Sequence, residues 1–329
     1  MAAQQRIVPL LRIPAGDHGT VGAARFYLDV FRPLEEAGLE VGAQGRTATQ
    51  GTGDTAESTG TGGGQAGGIE VSVASFRLGL QDAADSAGQP AAMTTATNFT
   101  VNFDPLFFGW TPQAEESDPA AANAARSRAR AALDTVWEAL SDATSEASHG
   151  TGLEPSVLMP LDEYPFSPRY GWIQDCYGVS WQLMLTDPAG EPRPAIIPSF
   201  FFGGGAQNRA GEARDTWLRV FGEVFADAEA ASEAETRPGV RVDYPEQAGP
   251  AQPGAVMFSD MQLAGTWFTA MDSATDQPST FTDAVTYQIM CDTPFQAEAL
   301  RRRLRSADGT GGTGGTDDFG VTWEPRYDG

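Results

Sequence analysis

The sequence contains no lysine, since all 21 of its basic residues are arginines. Without a lysine amine, Schiff-base catalysis and the lysine of a phosphate-binding loop are excluded. Basic residues are also outnumbered, because 44 aspartates and glutamates give a net charge of −23. A chain of that charge repels nucleic acid and anionic lipid, so neither is expected as a partner.

Cysteine, histidine and long apolar runs are scarce as well. Cys176 and Cys291 are far apart and form no CxxC pair, which favours two reduced thiols over a structural disulfide. The two histidines, His18 and His149, lie in predicted loops and are interpreted as ordinary surface residues. No apolar run reaches membrane-spanning length, and the N-terminal run 7–13 is too short for a signal peptide. We expect a soluble, cytoplasmic protein.

The most informative stretch is residues 158–185, LMPLDEYPFSPRYGWIQDCYGVSWQLML. Its segment 175–178 predicts a hairpin turn in which Gly178 adopts a positive φ. The strand after the turn alternates between two faces. The face interpreted as core beneath a helix carries Val179, Trp181, Leu183 and Leu185. The face interpreted as the lining of a concave surface carries Ser180, Gln182 and Met184.

A second copy of this turn and strand occurs near the C-terminus. The sequence DCYGVSWQ at 175–182 is matched by DDFGVTWE at 317–324 with identical spacing. This internal repeat indicates two similar halves, and 329 residues are enough for two domains. By alternation, Trp181 and Trp323 are both predicted to lie in the core under a helix.

The other elements repeat as strand, helix and strands. Helices are predicted from about 23 to 34, from 120 to 142, around 217–225 and from Thr293 to about 305. Strands are predicted at 7–13, 69–80, 92–97, 98–103, 195–202, 240–244, 255–263, 266–271, 284–290 and 319–325. Residues 105–120 are interpreted as a partly exposed insertion, and the Gly-rich segment 42–68 as a mobile loop.

The stretch 158–185 resembles the closing segment of PhnB-like proteins in the vicinal oxygen chelate superfamily, the glyoxalase and bleomycin-resistance fold. The resemblance implies an α+β fold in which paired βαβββ modules form cup-shaped incomplete barrels, with two such domains in this chain. Domain 1 would span 1–186, a linker 187–194, and domain 2 195–329, the latter truncated near 306–318. The halves are expected to pack as an internal pseudo-dimer, and further homo-oligomerisation is left open.

In metal-using relatives the cup holds one divalent ion on His and Glu side chains. The resemblance places the two His positions on Pro9 and Pro198, and the two Glu positions on Gln182 and Glu324. Proline has no side-chain donor, and a neutral glutamine is a poor ligand for such an ion. We therefore expect neither a metal nor another cofactor.

The candidate ligand-binding residues are polar or aromatic side chains on predicted strands: Ser180, Gln182, Met184, Trp172, Phe200, Phe202, Trp267 and Glu324. A cup lined by such residues suits an apolar or planar small organic molecule, which is the predicted partner. The leading hypothesis is metal-independent binding of that molecule in the domain 1 cup.

Two alternatives stay open: a glyoxalase-like lyase or isomerase, and a structural or interaction protein whose site has decayed. No catalytic residue is assigned. This group is sometimes named after a ubiquinone methyltransferase, but methyltransferase activity is not expected here. No Gly-rich strand-to-helix turn is followed by an acidic residue that would bind adenosylmethionine, and the run 203–205 is interpreted as a simple turn.

Overall fold

The computed structural model describes residues 5–13, 19–46, 68–83, 92–226, 235–278, 280–305 and 315–327. Its strands are β1 (Ile7–Ile13), β2 (Val41–Arg46), β3 (Gly68–Val73), β4 (Phe76–Asp82), β5 (Thr97–Phe103), β6 (Ser156–Tyr164), β7 (Ser167–Gln174), β8 (Ser180–Leu185), β9 (Ile196–Phe202), β10 (Arg237–Asp243), β11 (Val256–Leu263), β12 (Thr266–Asp272), β13 (Val285–Met290), β14 (Gly315–Thr316) and β15 (Thr322–Arg326). Its helices are α1 (Gly19–Val30), α2 (Arg32–Glu36), α3 (Pro112–Ser117), α4 (Pro119–Ser141), α5 (Glu146–Thr151), α6 (Ala210–Val224) and α7 (Pro294–Leu304). Short 3₁₀ turns lie at Pro105–Phe108 and Gly204–Ala206.

These elements form three βαβββ modules and, within the described residues, a fourth module in which only β14 and β15 follow the helix. This architecture confirms the α+β prediction. Within the described residues, modules two and three build an eight-stranded sheet with the order β10-β11-β12-β9-β5-β8-β7-β6. Modules one and four build a seven-stranded sheet with the order β14-β15-β13-β1-β4-β3-β2.

The pairing of the modules differs from the expectation that each half closes its own cup. Strand β5 of the first half pairs antiparallel with β9 of the second, and β1 pairs antiparallel with β13. Each sheet therefore takes one module from each half. The repeat in the sequence reveals that the halves are alike, but it carries no information about which first strands meet. The domain boundaries around residues 187–194 stay a prediction.

Three local predictions are corrected or limited by the structure. The segment 42–68 begins and ends in strand, because β2 pairs with β3 from Val41↔Val73 to Arg46↔Gly68; residues 47–67 lie outside the described residues. In the part of 92–97 that the structure describes, the strand starts only at Thr97. The truncated tract near 306–318 contains the two-residue strand β14, and residues 306–314 lie outside the described part of the chain.

Helices α1, α4, α6 and α7 lie between the two sheets. Helix α1 packs on the seven-stranded sheet. Tyr27 on this helix and Phe31 directly after it also contact Trp181 of the other sheet. Their ring centroids lie 5.6 and 5.2 Å, respectively, from that of Trp181. Helix α6 packs on the eight-stranded sheet, and its Trp217 contacts Trp323 of the seven-stranded sheet. The predicted burial of Trp181 and Trp323 is confirmed. The faces of the two sheets that carry the helices thus meet in one core, and their other faces point outward.

No helix in the described ranges has the length and apolar character needed to cross a membrane.

The hairpin turn before β8 is held by a buried aspartate. Asp175 Oδ1 accepts the backbone N–H groups of Tyr177 and Val179 at 2.8 and 3.0 Å. Its Oδ2 accepts Trp181 Nε1 at 2.8 Å and the Tyr27 hydroxyl at 3.0 Å. Burial raises the pKa of Asp175 to about 6, against the opposing effect of these four donors. Gly178 has φ +81°, as the sequence predicts.

Candidate functional site

The outward face of the eight-stranded sheet encloses a cavity of about 330 Å³. Six strands, from β8 at one side to β10 at the other, contribute to its walls, so the sheet curves around the cavity. We call this cavity and the face around it the cup. The strand residues that line it are Thr100, Asn102, Met184, Ile197, Val240, Phe258, Asp260 and Thr269. The segments after β5 and β8 add Asp104, Thr186, Asp187, Glu191 and Arg193.

The floor of the cup is a chain of neutral hydroxyl groups. Ser199 on β9 lies between Thr100 on β5 and Thr269 on β12, because these strands are neighbours in the sheet. The Thr269 hydroxyl donates to Ser199 Oγ at 2.5 Å, and Ser199 Oγ lies 2.9 Å from Thr100 Oγ1. Three hydroxyl protons serve two internal bonds, so at least one proton is left for a further acceptor.

An amide network lies beside this floor on the same face. Gln182 Nε2 donates to Asn98 Oδ1 at 2.7 Å, and the Tyr170 hydroxyl donates to Gln182 Oε1 at 2.9 Å. Next to it, Trp172 Nε1 donates to Ser180 Oγ at 2.7 Å. These side chains are buried and pair with one another. Their arrangement stabilises the shape of the face and adds no charge to it.

A stack of charged and aromatic groups closes one end of the cup. The guanidinium of Arg193 lies 4.0 Å from the ring centroid of Trp267, and that of Arg237 lies 4.8 Å from it. Arg193 Nε donates to Asp260 Oδ2 at 2.9 Å, and Glu191 forms ion pairs of 3.0 Å with both arginines. Glu191 and Arg193 belong to the predicted linker 187–194, which here forms a wall of the cup.

The structure brings together five of the eight predicted site residues. Ser180, Gln182, Met184, Trp172 and Trp267 share the outward face of the eight-stranded sheet. Of these, Met184 lines the cavity directly. The first four come from adjacent strands of the first half, and Trp267 comes from the second half.

The other three predicted residues lie elsewhere. Phe200 and Phe202 are fully buried in the core against Trp217, so the prediction that they line a cup is wrong. Their neighbour Pro198 pairs across the strands with core residue Phe99, which shows that this set of positions faces the helices. Glu324 lies on the seven-stranded sheet, where it accepts from the Thr286 hydroxyl at 2.9 Å and pairs with Arg326 at 3.0 Å.

Several cup residues were missed by the sequence reasoning. Thr100 and Asn102 could have been found, since the strand TNFTVNF at 97–103 alternates, with Phe99, Val101 and Phe103 in the core. This alternation predicts that both side chains lie on the face opposite the core. Asp104 and Arg193 lie in irregular segments, where no periodicity indicates direction.

The residues at the positions where metal-using relatives carry ligands do not fit a metal ion. Pro9 pairs across the strands with core residue Tyr287, as Pro198 does with Phe99, so both prolines face away from the outward surfaces. Gln182 is held by its two neutral partners. Among the described residues, no three His, Cys, Asp or Glu side chains are grouped so that they could hold an ion. His18 lies outside the described residues.

Comparison with known proteins gives a family match over most of the chain. The family model described as 3-demethylubiquinone-9 3-methyltransferase matches residues 69–184 and 194–324. No curated protein matches. Among solved structures, a PhnB protein from Bacillus cereus is 20% identical, with a TM-score of 0.30; the match covers 55% of this chain and 100% of that one. A point mutant of glyoxalase I from Zea mays is 10% identical, with a TM-score of 0.47; the match covers 99% of this chain and 95% of that one.

Proposed function

The chain belongs to the PhnB-like family described as 3-demethylubiquinone-9 3-methyltransferase, in the vicinal oxygen chelate superfamily, and from that premise we propose that it binds a small organic molecule in the cup of the eight-stranded sheet without a metal ion. The cavity of about 330 Å³ is the observation that carries the proposal. Pockets that bury small ligands start at about this size and combine apolar walls with a few polar groups.

The walls and floor of the cup suit a largely apolar ligand. Met184, Ile197 and Phe258 supply apolar contact area from three strands. The hydroxyls of Thr100 and Thr269 supply hydrogen bonds from the floor. A planar molecule resting on the apolar walls, with one polar group directed to the floor, would satisfy both surfaces.

The chemistry of the floor favours binding over metal-assisted turnover. Its hydroxyl and amide groups are neutral and are bonded to one another, whereas catalytic metal sites are built from imidazole, thiolate and carboxylate donors. The methyltransferase name of the family is not carried over as an activity. The turn after β9, Gly203-Gly204-Gly205, lacks the spaced glycines and following acidic residue of a nucleotide-binding turn.

The test uses N-phenyl-1-naphthylamine, a neutral apolar dye whose fluorescence rises on burial. We expect saturable binding to the full-length protein. Met184→Trp fills the cavity and should weaken dye binding at least about tenfold, a loss equivalent to about 1.4 kcal/mol. Met290→Trp is the matched control, because Met290 is half-buried on the outward face of the other sheet. Equal binding in both variants, or no saturable binding to the wild type, would reject the proposal.

A further inference from the structure

Asp104 is a buried carboxylate that points to the chemical class of the ligand. It directly follows β5 and begins the 3₁₀ turn Pro105–Phe108. Its Oδ1 accepts the backbone N–H of Leu106 at 2.9 Å, and the residue is only 7% exposed. The side chain also lines the cup.

The cup contains a second carboxylate that serves as a comparison. Asp260 is 5% exposed, and its charge is matched by Arg193 at 2.9 Å and by the backbone N–H of Val240 at 2.5 Å. Asp104 has the same degree of burial, but among the described residues the N–H of Leu106 is its one hydrogen-bond donor and no arginine pairs with it. Since no described guanidinium competes for it, the Asp104 carboxylate is open to pair with a cation that enters the cup, and a charge-assisted hydrogen bond of this kind is strong.

The charges around the cup also favour a positively charged ligand. Its lining includes four carboxylates, those of Asp104, Asp187, Glu191 and Asp260, and one guanidinium, that of Arg193. That guanidinium is already paired with two of the four carboxylates, and Arg237, which stacks at the closed end of the cup, is paired with one of the same two. The cup therefore has a negative potential, which attracts cations and repels carboxylate or phosphate ligands.

We infer that the cup takes a small organic cation, whose ammonium or amidinium group pairs with Asp104 while its apolar part rests on Met184, Ile197 and Phe258. This inference rests on the proposed function, since it names the ligand class of the same cavity. An organic cation is favoured over a metal ion because the same lining also offers the apolar side chains of Met184, Ile197 and Phe258. In the described part of the chain, no cluster of metal-ligating side chains surrounds it.

The test compares three probes of matched size: 4-phenylbutylamine, 4-phenylbutan-1-ol and 4-phenylbutyrate. Each is titrated against dye-loaded full-length protein, and its affinity is read from displacement. We expect the amine to bind at least about tenfold tighter than the alcohol, and the carboxylate to bind weakest, as charge-assisted pairing in a buried site requires. Added salt should weaken binding of the amine and leave that of the alcohol unchanged.

Asp104→Asn is the diagnostic variant. Asparagine keeps an oxygen for the Leu106 N–H, so the turn is retained while the charge is removed. We expect it to abolish the preference for the amine and to leave the affinity for the alcohol unchanged. Glu154→Gln removes the same charge from an exposed residue outside the cup and should leave the preference intact.

Two failures are distinguishable. If the dye binds but the amine is no tighter than the alcohol, or if Asp104→Asn keeps the preference, the cation inference is wrong and the proposed function stands. If the dye shows no saturable binding to the wild type, the proposed function itself fails.

Discussion

Asp175 in the first half and Asp317 in the second accept hydrogen bonds from equivalent donors. Asp317 Oδ1 accepts the N–H groups of Phe319 and Val321 at 2.9 and 3.0 Å, as Asp175 does two and four residues along its own turn. Its Oδ2 accepts Trp323 Nε1 at 2.8 Å, and Trp181 occupies the same place in the first half. The two turns differ only in the donor from a helix, which is the Tyr27 hydroxyl in the first and Trp217 Nε1, at 2.8 Å, in the second.

The strands that follow these turns carry different chemistry on their outward faces. Gln182 has neutral partners beside a cavity, whereas Glu324 is paired with Arg326 and bonded to Thr286. The seven-stranded sheet also carries the pair Glu70–Arg77, at 3.6 Å. The same buried aspartate and tryptophan therefore stabilise the turn in both halves, whereas the residues on the outward faces differ in charge and in hydrogen-bond partners.

The largest expected effect removes the feature that the halves share. Asp175→Ala and Asp317→Ala each leave four buried donors without an acceptor, so each should lower the free energy of unfolding by about 3–5 kcal/mol. Urea denaturation measures the loss. Asp118→Ala, which removes the cap of α4 at the exposed Ala121 N–H, is the control and should cost about 1 kcal/mol. A loss of under about 1 kcal/mol in either turn variant would contradict the shared role.

The next largest loss of stability concerns Gln182 and Glu324, the equivalent outward residues in which the halves differ. Gln182→Ala leaves the buried Tyr170 hydroxyl and Asn98 amide without their partner and should cost about 2 kcal/mol of stability. Glu324→Ala removes an ion pair whose arginine is 36% exposed and the acceptor of one hydroxyl, that of Thr286, so it should cost about 1 kcal/mol. Equal losses in the two variants, measured by the same denaturation, would show that the two faces do not differ in this way.

A smaller effect concerns pH. Burial raises the pKa of Asp175 to about 6, so the folded protein holds this proton more tightly than the unfolded chain does. Its contribution to stability is present at low pH and is lost as the pH rises through about 6. Between about pH 5 and 7.5 the loss should be about 1 kcal/mol, seen as a difference in pH dependence between the wild type and Asp175→Asn. Burial also raises the pKa of Asp317, so Asp317→Asn should show a change of the same sign.

The smallest expected effect is the response to chelator. The positions that bear ligands in metal-using relatives hold a neutral Gln182 in one sheet and an arginine-paired Glu324 in the other. Among the described residues no three metal-ligating side chains are grouped, so neither sheet should retain a transition metal. Elemental analysis of tag-free protein purified without chelator should give substoichiometric zinc, nickel, iron and manganese, and added chelator should not change the melting temperature. Near-stoichiometric metal that is lost in Glu324→Ala would overturn metal-independent binding and put a lyase or isomerase first.

Local sequence determined the two turns and most of the helices and strands, although not β2 or the start of β5. Alternation along residues 179–185 placed Trp181 in the core, and its repeat placed Trp323 there, because successive strand residues point to opposite sides of a sheet. The predicted helices at 120–142 and after Thr293 correspond to α4 and α7, and the Thr293 hydroxyl accepts the Gln296 N–H at 3.1 Å as a cap should. These features depend on contacts between near neighbours, which a single sequence displays.

Tertiary structure decided which face of each strand is open and which strands share a sheet. Alternation puts Phe200 and Phe202 on one side of β9, but only the pairing of Pro198 with Phe99 reveals that this side faces the helices. The joining of β5 to β9 brings Thr100, Ser199 and Thr269 together across the two halves. Asp104 and Arg193 enter the cup from irregular segments. Such placements depend on contacts between residues far apart in the chain, and no local period records them.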